Sequence, residues 1–272
     1  MADISAKEVM ALRAKTGLSM MECKKALQET EGDAERAEEL LRKKMKGKMD
    51  ARTDRAAGEG RVAVALAEDG SAAAVVEVRA ETDFTAKNED FAAAVEKIGA
   101  LALNGDTGDA QPTPDMTAII DELRIATGEN LSIARVHKMQ GGPDVGFASY
   151  IHHDGKTAVL LKASADVDQD TAKDVCMHIA AYVPTPQGVT RDEVPESVIE
   201  KERKLAMEMA EESGKPKEIA EKMVEGKINK LYSELALVEQ PFVKDPAVKI
   251  ADLVGGADKV RAFQRWQLGQ AG

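Results

Sequence analysis

The stretch Arg61-Val62-Ala63-Val64-Ala65-Leu66-Ala67-Glu68-Asp69-Gly70-Ser71-Ala72-Ala73-Ala74-Val75-Val76-Glu77-Val78 decides the fold. Val62, Val64 and Leu66 alternate at the two-residue period of a strand, Asp69-Gly70 is a turn dipeptide, and Ala72 to Val78 returns as a second strand. The segment reads as a β-hairpin. After the short stretch Ala80 to Lys87, Phe91, Val95, Ile98 and Leu101 or Ala102 recur at helical spacing, so a helix follows the hairpin. The order then repeats: extended Val145 to Ile151, a turn at Asp154-Gly155, a strand from Thr157 to Ala163 and a helix from about Asp170 to Tyr182. Gly70 and Gly155 lie 85 residues apart and the following helices keep nearly that offset, which predicts two similar halves. A helix around Met116 to Ala126 and an extended stretch from Leu131 to Met139 join them.

Upstream, the first 45 residues read as three short helices. Ser5 with Glu8 and Ser19 with Glu22 are capping boxes, Gly17 and Gly32 fall where helices end, and Asp33 can cap the third. Val9 and Leu12, then Cys23, Ala26 and Leu27, then Ala37, Leu40 and Leu41 supply the apolar faces of a bundle. Residues 46 to 58 are polar, without apolar period, and read as a linker. Downstream, residues 195 to 233 form two charged helical stretches around Gly214-Lys215-Pro216, hence a helical hairpin. Val198, Leu205 and Met209 on one arm, with Ile219, Met223, Ile228 and Leu231 on the other, are its expected seam. Arms of about four turns reach only roughly 25 Å, so it is a short projection. A last strand is expected around Val260 to Leu268.

The fold class is therefore α+β, divided as 1–57 (head and linker), 58–139 (first core subdomain), 140–194 (second core subdomain, first part), 195–233 (hairpin) and 234–272 (second core subdomain, last part). A chain of 272 residues with 43% hydrophobic content can build real cores. Aromatics at 3% leave little for base stacking, and a net charge of -11 repels phosphate backbones, so no direct nucleic-acid binding is expected. The first 57 residues hold 13 basic and 11 acidic side chains, so the negative charge lies downstream. Two cysteines, Cys23 and Cys176, give neither a disulfide framework nor a four-ligand metal spacing, which suits a reducing cytoplasm. The start Met1-Ala2-Asp3-Ile4 is unlike a signal peptide and no apolar run approaches ~20 residues, so neither export nor membrane spanning is expected.

Three separated segments resemble the elongation factor Ts family. Leu12-Arg13-Ala14-Lys15-Thr16-Gly17 followed by Met20-Met21-Glu22-Cys23-Lys24-Lys25-Ala26-Leu27 is similar to its N-terminal helical module. Glu81-Thr82-Asp83-Phe84, directly after a strand, is similar to its exchange motif. Ser213-Gly214-Lys215-Pro216-Lys217-Glu218-Ile219-Ala220-Glu221-Lys222-Met223-Val224-Glu225-Gly226, with Gln240-Pro241-Phe242-Val243 beyond it, is the third. The resemblance implies a three-helix domain similar to ubiquitin-associated domains, a core of two related subdomains and an inserted coiled-coil hairpin. It also implies nucleotide exchange on elongation factor Tu, in its GDP-bound and nucleotide-free forms, with no bond-making chemistry and no cofactor. A homodimer stays open. Many members have Val where Thr85 stands here, and longer members carry an extra C-terminal helical module, whereas this chain stops at Gly272.

Taken alone, Asp83-Phe84 reads as a helix-capping carboxylate and a core ring. The resemblance reverses that reading: Phe84 would wedge between helices of the GTPase while Asp83 disturbs groups near the nucleotide-bound magnesium, with Thr82 and Thr85 shaping the turn. Met20-Met21 could fill the bundle core, but as helical neighbours the two cannot point the same way. In the family this edge, with Leu12, Arg13 and Lys24 nearby, meets the nucleotide-binding domain of the GTPase. His152-His153 flank a strand end with no third ligand at useful spacing and read as a solvated turn; the resemblance makes one of them a partner contact. Thr127-Gly128-Glu129-Asn130 reads as a helix C-terminal turn, and matching it to the family suggests a secondary contact at Gly128. Cys176 and His178 stand two apart on a helix, a poor geometry for a nucleophile and its base. No Gly-rich phosphate loop with a Lys-Ser/Thr partner occurs, so the chain is not expected to bind GTP itself, and no catalytic or metal site is expected either.

Overall fold

The computed structural model describes residues 4–50, 52, 54–212 and 216–270. Three helices, α1 (Ala6–Thr16), α2 (Met20–Glu29) and α3 (Ala34–Asp50), form the head. Both capping boxes are present: the Ser5 and Ser19 hydroxyls accept from the backbone N–H of Glu8 and Glu22, whose carboxylates return to the serine N–H groups. Gly17 ends α1 in the left-handed conformation and the Asp33 carboxylate caps the third helix at the Arg36 N–H. Val9, Leu12, Leu18, Cys23, Leu27 and Leu41 close the head's core. The expected linker from residue 46 is shorter than its polarity suggests, because α3 runs on to Asp50. A polar helical face has no apolar period to announce it.

The body is two antiparallel sheets packed face to face, each with helices on its outer side. The first sheet has the order β1 (Glu59–Leu66), β2 (Ala72–Ala80), β4 (Ser132–Gln140), β3 (Gly108–Asp109). The second has the order β5 (Val145–Ile151), β6 (Thr157–Ser164), β9 (Val260–Gln267). The β1–β2 and β5–β6 hairpins are the two expected repeats. The stretch Leu131 to Met139 does more than join them: as β4 it pairs along nearly all of β2.

Ala63, Ala74, Val76 and Val78 face α5 (Glu89–Ala102) and α6 (Pro114–Thr127) through Phe91, Val95, Ile98, Met116 and Ile120. On the opposite face Val62, Ala73 and Val75 meet Phe147, Ala158, Leu160 and Trp266 of the second sheet. A strand covered on both faces cannot alternate apolar and polar residues, which is why Ala72 to Val78 is nearly continuous apolar sequence. The second sheet buries Val159, Leu161 and Ala163 under α7 (Gln169–Ala181), with α10 (Ile250–Val254) and a two-stranded ribbon of β7 (Pro241–Phe242) and β8 (Asp245–Lys249) completing that layer. Glu77, fully buried between the sheets, is held by the Arg79 and Arg135 guanidiniums and the Gly269 N–H, and Arg135 lies over the Trp266 ring at 4.4 Å.

Helices α8 (Glu196–Glu212) and α9 (Lys217–Leu235) pack as the hairpin; residues 213–215 of its expected turn lie outside the described residues. The seam matches the expected one only at Val198, Ile228 and Leu231. Ile199, Ala206 and Ala210 face Ala220, Val224, Ile228 and Leu231, while Leu205, Met209, Ile219 and Met223 are exposed. Small alanines let the two backbones approach closely, so the arms meet along a stripe one position away from the bulky residues.

Candidate functional site

Strand β2 ends at Ala80, and two residues later the chain enters a helix of five residues, α4 (Asp83–Lys87). Thr82 is its N-cap: its hydroxyl accepts from the Thr85 N–H at 3.3 Å. The capping role assigned to Asp83 therefore falls to Thr82, and Asp83 sits at the first helical position. Phe84 does not enter a core. Its ring is 84% exposed, the most exposed aromatic among the described residues. Beside it the Asp83 carboxylate accepts from Lys87 Nζ at 2.6 Å, and this hydrogen-bonded ammonium, with Lys156 farther off, holds the Asp83 carboxyl below the usual carboxylate range. Both partners are open to water, so the pair costs little to open.

The base of this tip is fixed from an unexpected side. Helix α6 ends at Gly128, whose left-handed conformation (φ 71°) turns the chain back toward α4. Glu129 then accepts three hydrogen bonds: from Thr82 Oγ1 at 2.6 Å, from Thr85 Oγ1 at 2.7 Å and from the Thr82 N–H at 3.2 Å. Glu81 accepts from the Asn130 N–H at 2.6 Å and pairs with Arg55 at 3.4 Å. The linker joins in, for Arg52 Nη1 donates to the Gly128 carbonyl at 2.6 Å and Asn130 Nδ2 to the Arg55 carbonyl at 2.8 Å. Residues 127–130 are the helix C-terminal turn expected, but nothing in their spacing marks a partner some 45 residues upstream. Thr85 is buried here with its hydroxyl in this network, which gives the departure from Val a local reason.

The His152-His153 turn lies alongside. Arg61 donates to the Ala86 carbonyl of α4 at 3.5 Å and packs its guanidinium against Gly155, while the Val62 N–H donates to the Gly155 carbonyl at 2.9 Å. Gly155 has φ 69°, and an added Cβ would stand 3.0 Å from the guanidinium. His152 Nδ1 lies 3.1 Å from the Asp154 carboxylate, His153 is exposed, and their rings are 4.2 Å apart. Arg61 thus links the tip helix to this turn.

On the head, Met20 and Met21 are 40% and 63% exposed, so both reach solvent where only one was expected to. Arg13 and Lys24 are exposed with them. Leu12 is different: its side chain is buried in the head's core, packing with the other helices and leaving no face for a partner. Elsewhere, His178 and Cys176 are buried on α7. Burial pushes the Cys176 thiol up to about 12, which removes it as a nucleophile near neutral pH. Among the described residues no group of three His, Cys, Asp or Glu side chains could hold a metal ion, and no helix is long and apolar enough to cross a membrane.

Residues 81–270 match the family model described as Elongation factor TS. Among similar curated proteins, the elongation factor Ts of Hahella chejuensis is 44% identical, covering 99% of this chain and 93% of the relative. That of Thioalkalivibrio sulfidiphilus is 42% identical over 98% of this chain and 92% of the relative, and that of Alkalilimnicola ehrlichii 41% identical over the same shares. A resemblance first carried by three short motifs thus extends along nearly the whole chain, and the chain belongs to the elongation factor Ts family of translation elongation factors.

Proposed function

We propose that this chain is the guanine nucleotide exchange factor for elongation factor Tu, working in the cytoplasm without bond-making chemistry of its own. One observation carries the reading: Phe84 stands exposed, with the half-exposed Asp83 beside it, at the tip of a short helix whose base is tied down by hydrogen bonds. Leaving such a ring in water forgoes about 2–3 kcal/mol of burial, a cost that has a use if a partner covers it. In this reading the ring enters a gap between helices of the GTPase. Asp83 exchanges its Lys87 contact for groups that hold the nucleotide-bound magnesium, and Thr82 and Thr85 set the angle of entry.

A phosphate cradle and a magnesium ion depend on sub-ångström placement, so a small wedge acts strongly. Accelerating release by ~10⁴ takes a barrier reduction of only about 5.5 kcal/mol. The factor binds the nucleotide-free GTPase best and the GDP form less tightly, because factor and nucleotide weaken each other equally. Met20, Met21, Arg13 and Lys24 dock the head on the nucleotide-binding domain, and one of His152 and His153 meets another domain. Gly128, half-buried at the turn after α6, makes a secondary contact with the partner.

Release of fluorescent GDP from elongation factor Tu tests this. A few per cent of the chain relative to the GTPase should accelerate release many-fold, and calorimetry on the chain alone should detect neither GDP nor GTP binding. No acceleration, or micromolar nucleotide binding by the isolated chain, overturns the proposal.

A further inference from the structure

We infer that Glu129 is the positioning residue of the exchange tip: its carboxylate holds α4 in the conformation that presents Asp83 and Phe84, without itself meeting the partner. The inference rests on the exchange reading above and adds to it the part that makes the tip rigid.

A helix of five residues cannot hold itself, since isolated helices shorter than ~12 residues are marginal in water. Phe84 gives α4 no anchoring of its own, because its ring is in solvent, and the Lys87–Asp83 pair is a surface contact. What remains is the underside of the helix. There Thr85 and Ala86 are buried, and both threonine hydroxyls with one backbone N–H converge on Glu129. The donor and acceptor roles are settled by chemistry. The Thr82 oxygen already accepts from the Thr85 N–H, so its proton goes to Glu129, and a carboxylate accepts all three bonds without conflict. A glutamine would keep one acceptor oxygen for the hydroxyls but turn an NH₂ toward the Thr82 N–H. An alanine would remove all three bonds.

Glu129 is placed in turn by its surroundings. Gly128 supplies the left-handed residue that reverses the chain, and the Arg52 guanidinium holds its carbonyl. Asn130 fastens the far side through Glu81 and the Arg55 carbonyl. The tip is thereby ordered before any partner arrives, and the ordering entropy is not charged to the transition state of nucleotide release.

The test measures labelled GDP release from elongation factor Tu over a range of factor concentrations for wild type, Glu129→Ala, Glu129→Gln, Phe84→Ala and the double variant Glu129→Ala with Phe84→Ala. Losing the three bonds should lower the rate at saturating factor about tenfold in Glu129→Ala, and less in Glu129→Gln. The half-saturating concentration should stay within about twofold, because the docking surfaces are elsewhere. In the Phe84→Ala background, Glu129→Ala should slow release by less than about twofold more, since both act through one tip. Faster amide hydrogen exchange across Thr82 to Lys87 should accompany the loss.

An unchanged saturating rate in Glu129→Ala, a defect confined to half-saturation, or full additivity with Phe84→Ala overturns the inference. If Glu129→Ala fails to fold by circular dichroism, Glu129→Gln decides by the same pattern at smaller amplitude. Wild-type release by Phe84→Ala alone would instead strike down the exchange reading of the tip, and this inference with it.

Discussion

Phe84 is in water on a five-residue helix whose buried face is taken by Thr85 and Ala86. Read alone, the residue's size argued for a core position, and that expectation failed where function is expected to break a local rule. His178 is the opposite case, a reactive-looking residue that is structural. Its Nδ1 accepts from the Val243 N–H at 3.1 Å, which leaves Nε2–H to donate to Gln240 Oε1 at 2.9 Å. Gln240 in turn donates to the Glu234 carbonyl at 2.6 Å and the Pro184 carbonyl at 3.2 Å. The family-like run Gln240-Pro241-Phe242-Val243 is thus a clasp between α7, the base of the hairpin and the β7–β8 ribbon. Burial lowers the His178 pKa, only partly offset by the Gln240 bond. A folded pKa below the unfolded value near ~6.5 means that stability is complete above that pH and is lost as pH falls from there through the folded pKa. His178→Ala should cost ~2–3 kcal/mol at pH 7.5, with the Val243 N–H and Gln240 Oε1 losing the imidazole as partner. Urea titrations from pH 7.5 to 5.5 should also show a flatter pH dependence for the variant than for wild type. An equal slope in both would assign the acid sensitivity to other groups.

Among the elements, those written in local chemistry were legible and those defined by close packing were not. Ser5, Ser19 and Gly17 mark helix ends because capping satisfies backbone groups within a few residues of the signal. The hairpin arms were legible as helices, but of their seam only Val198, Ile228 and Leu231 were. Leu205 and Met209 draw the eye by size, whereas Ala206 and Ala210 make the contact by being small. That seam is self-contained, with a Lys227–Glu202 pair at 2.6 Å crossing it, and its base is fastened by Arg191 to Glu239 and Asn229. Replacing Arg203 to Gly226 by a short Gly-rich turn should therefore leave the body's melting temperature nearly unchanged, and should slow exchange by less than about threefold, as expected for a distant independent part. Abolished exchange in such a variant, with native circular dichroism, would place an essential contact on the projection.

At the scale of the whole molecule, the two repeated hairpins could be read from the sequence, but the sheets' closing partners could not. β4 adds to β2 and β9 adds to β6 over long separations that leave no periodic mark. The attachment of the head was also invisible. Ile125 of α6 packs on its core, Arg42 reaches Glu122 at 3.7 Å, and Arg52 and Arg55 fasten the linker to the turn that holds the tip. Two truncations separate docking from positioning. Removing residues 1–50 should raise only the half-saturating concentration for exchange, whereas removing residues 1–57 should also lower the saturating rate, because the Gly128–Asn130 turn loses its arginine contacts. Equal saturating rates in the two would show that the linker does not support the tip.

The role of Phe84 and Asp83 at the tip is the claim on which the rest depends. Stopped-flow release of labelled GDP from elongation factor Tu, with Asp83→Ala and Phe84→Ala at high and low magnesium, addresses it most directly. Each substitution sits on the surface and should change the factor's own stability by less than about 0.5 kcal/mol. Each should slow release at high magnesium while leaving association largely intact. Low magnesium should restore part of the rate, because depleting the ion replaces the disturbance that the tip supplies. Wild-type rates for both variants at both magnesium levels would contradict the account and move the effective contact to Met20-Met21 or to the His152-His153 turn.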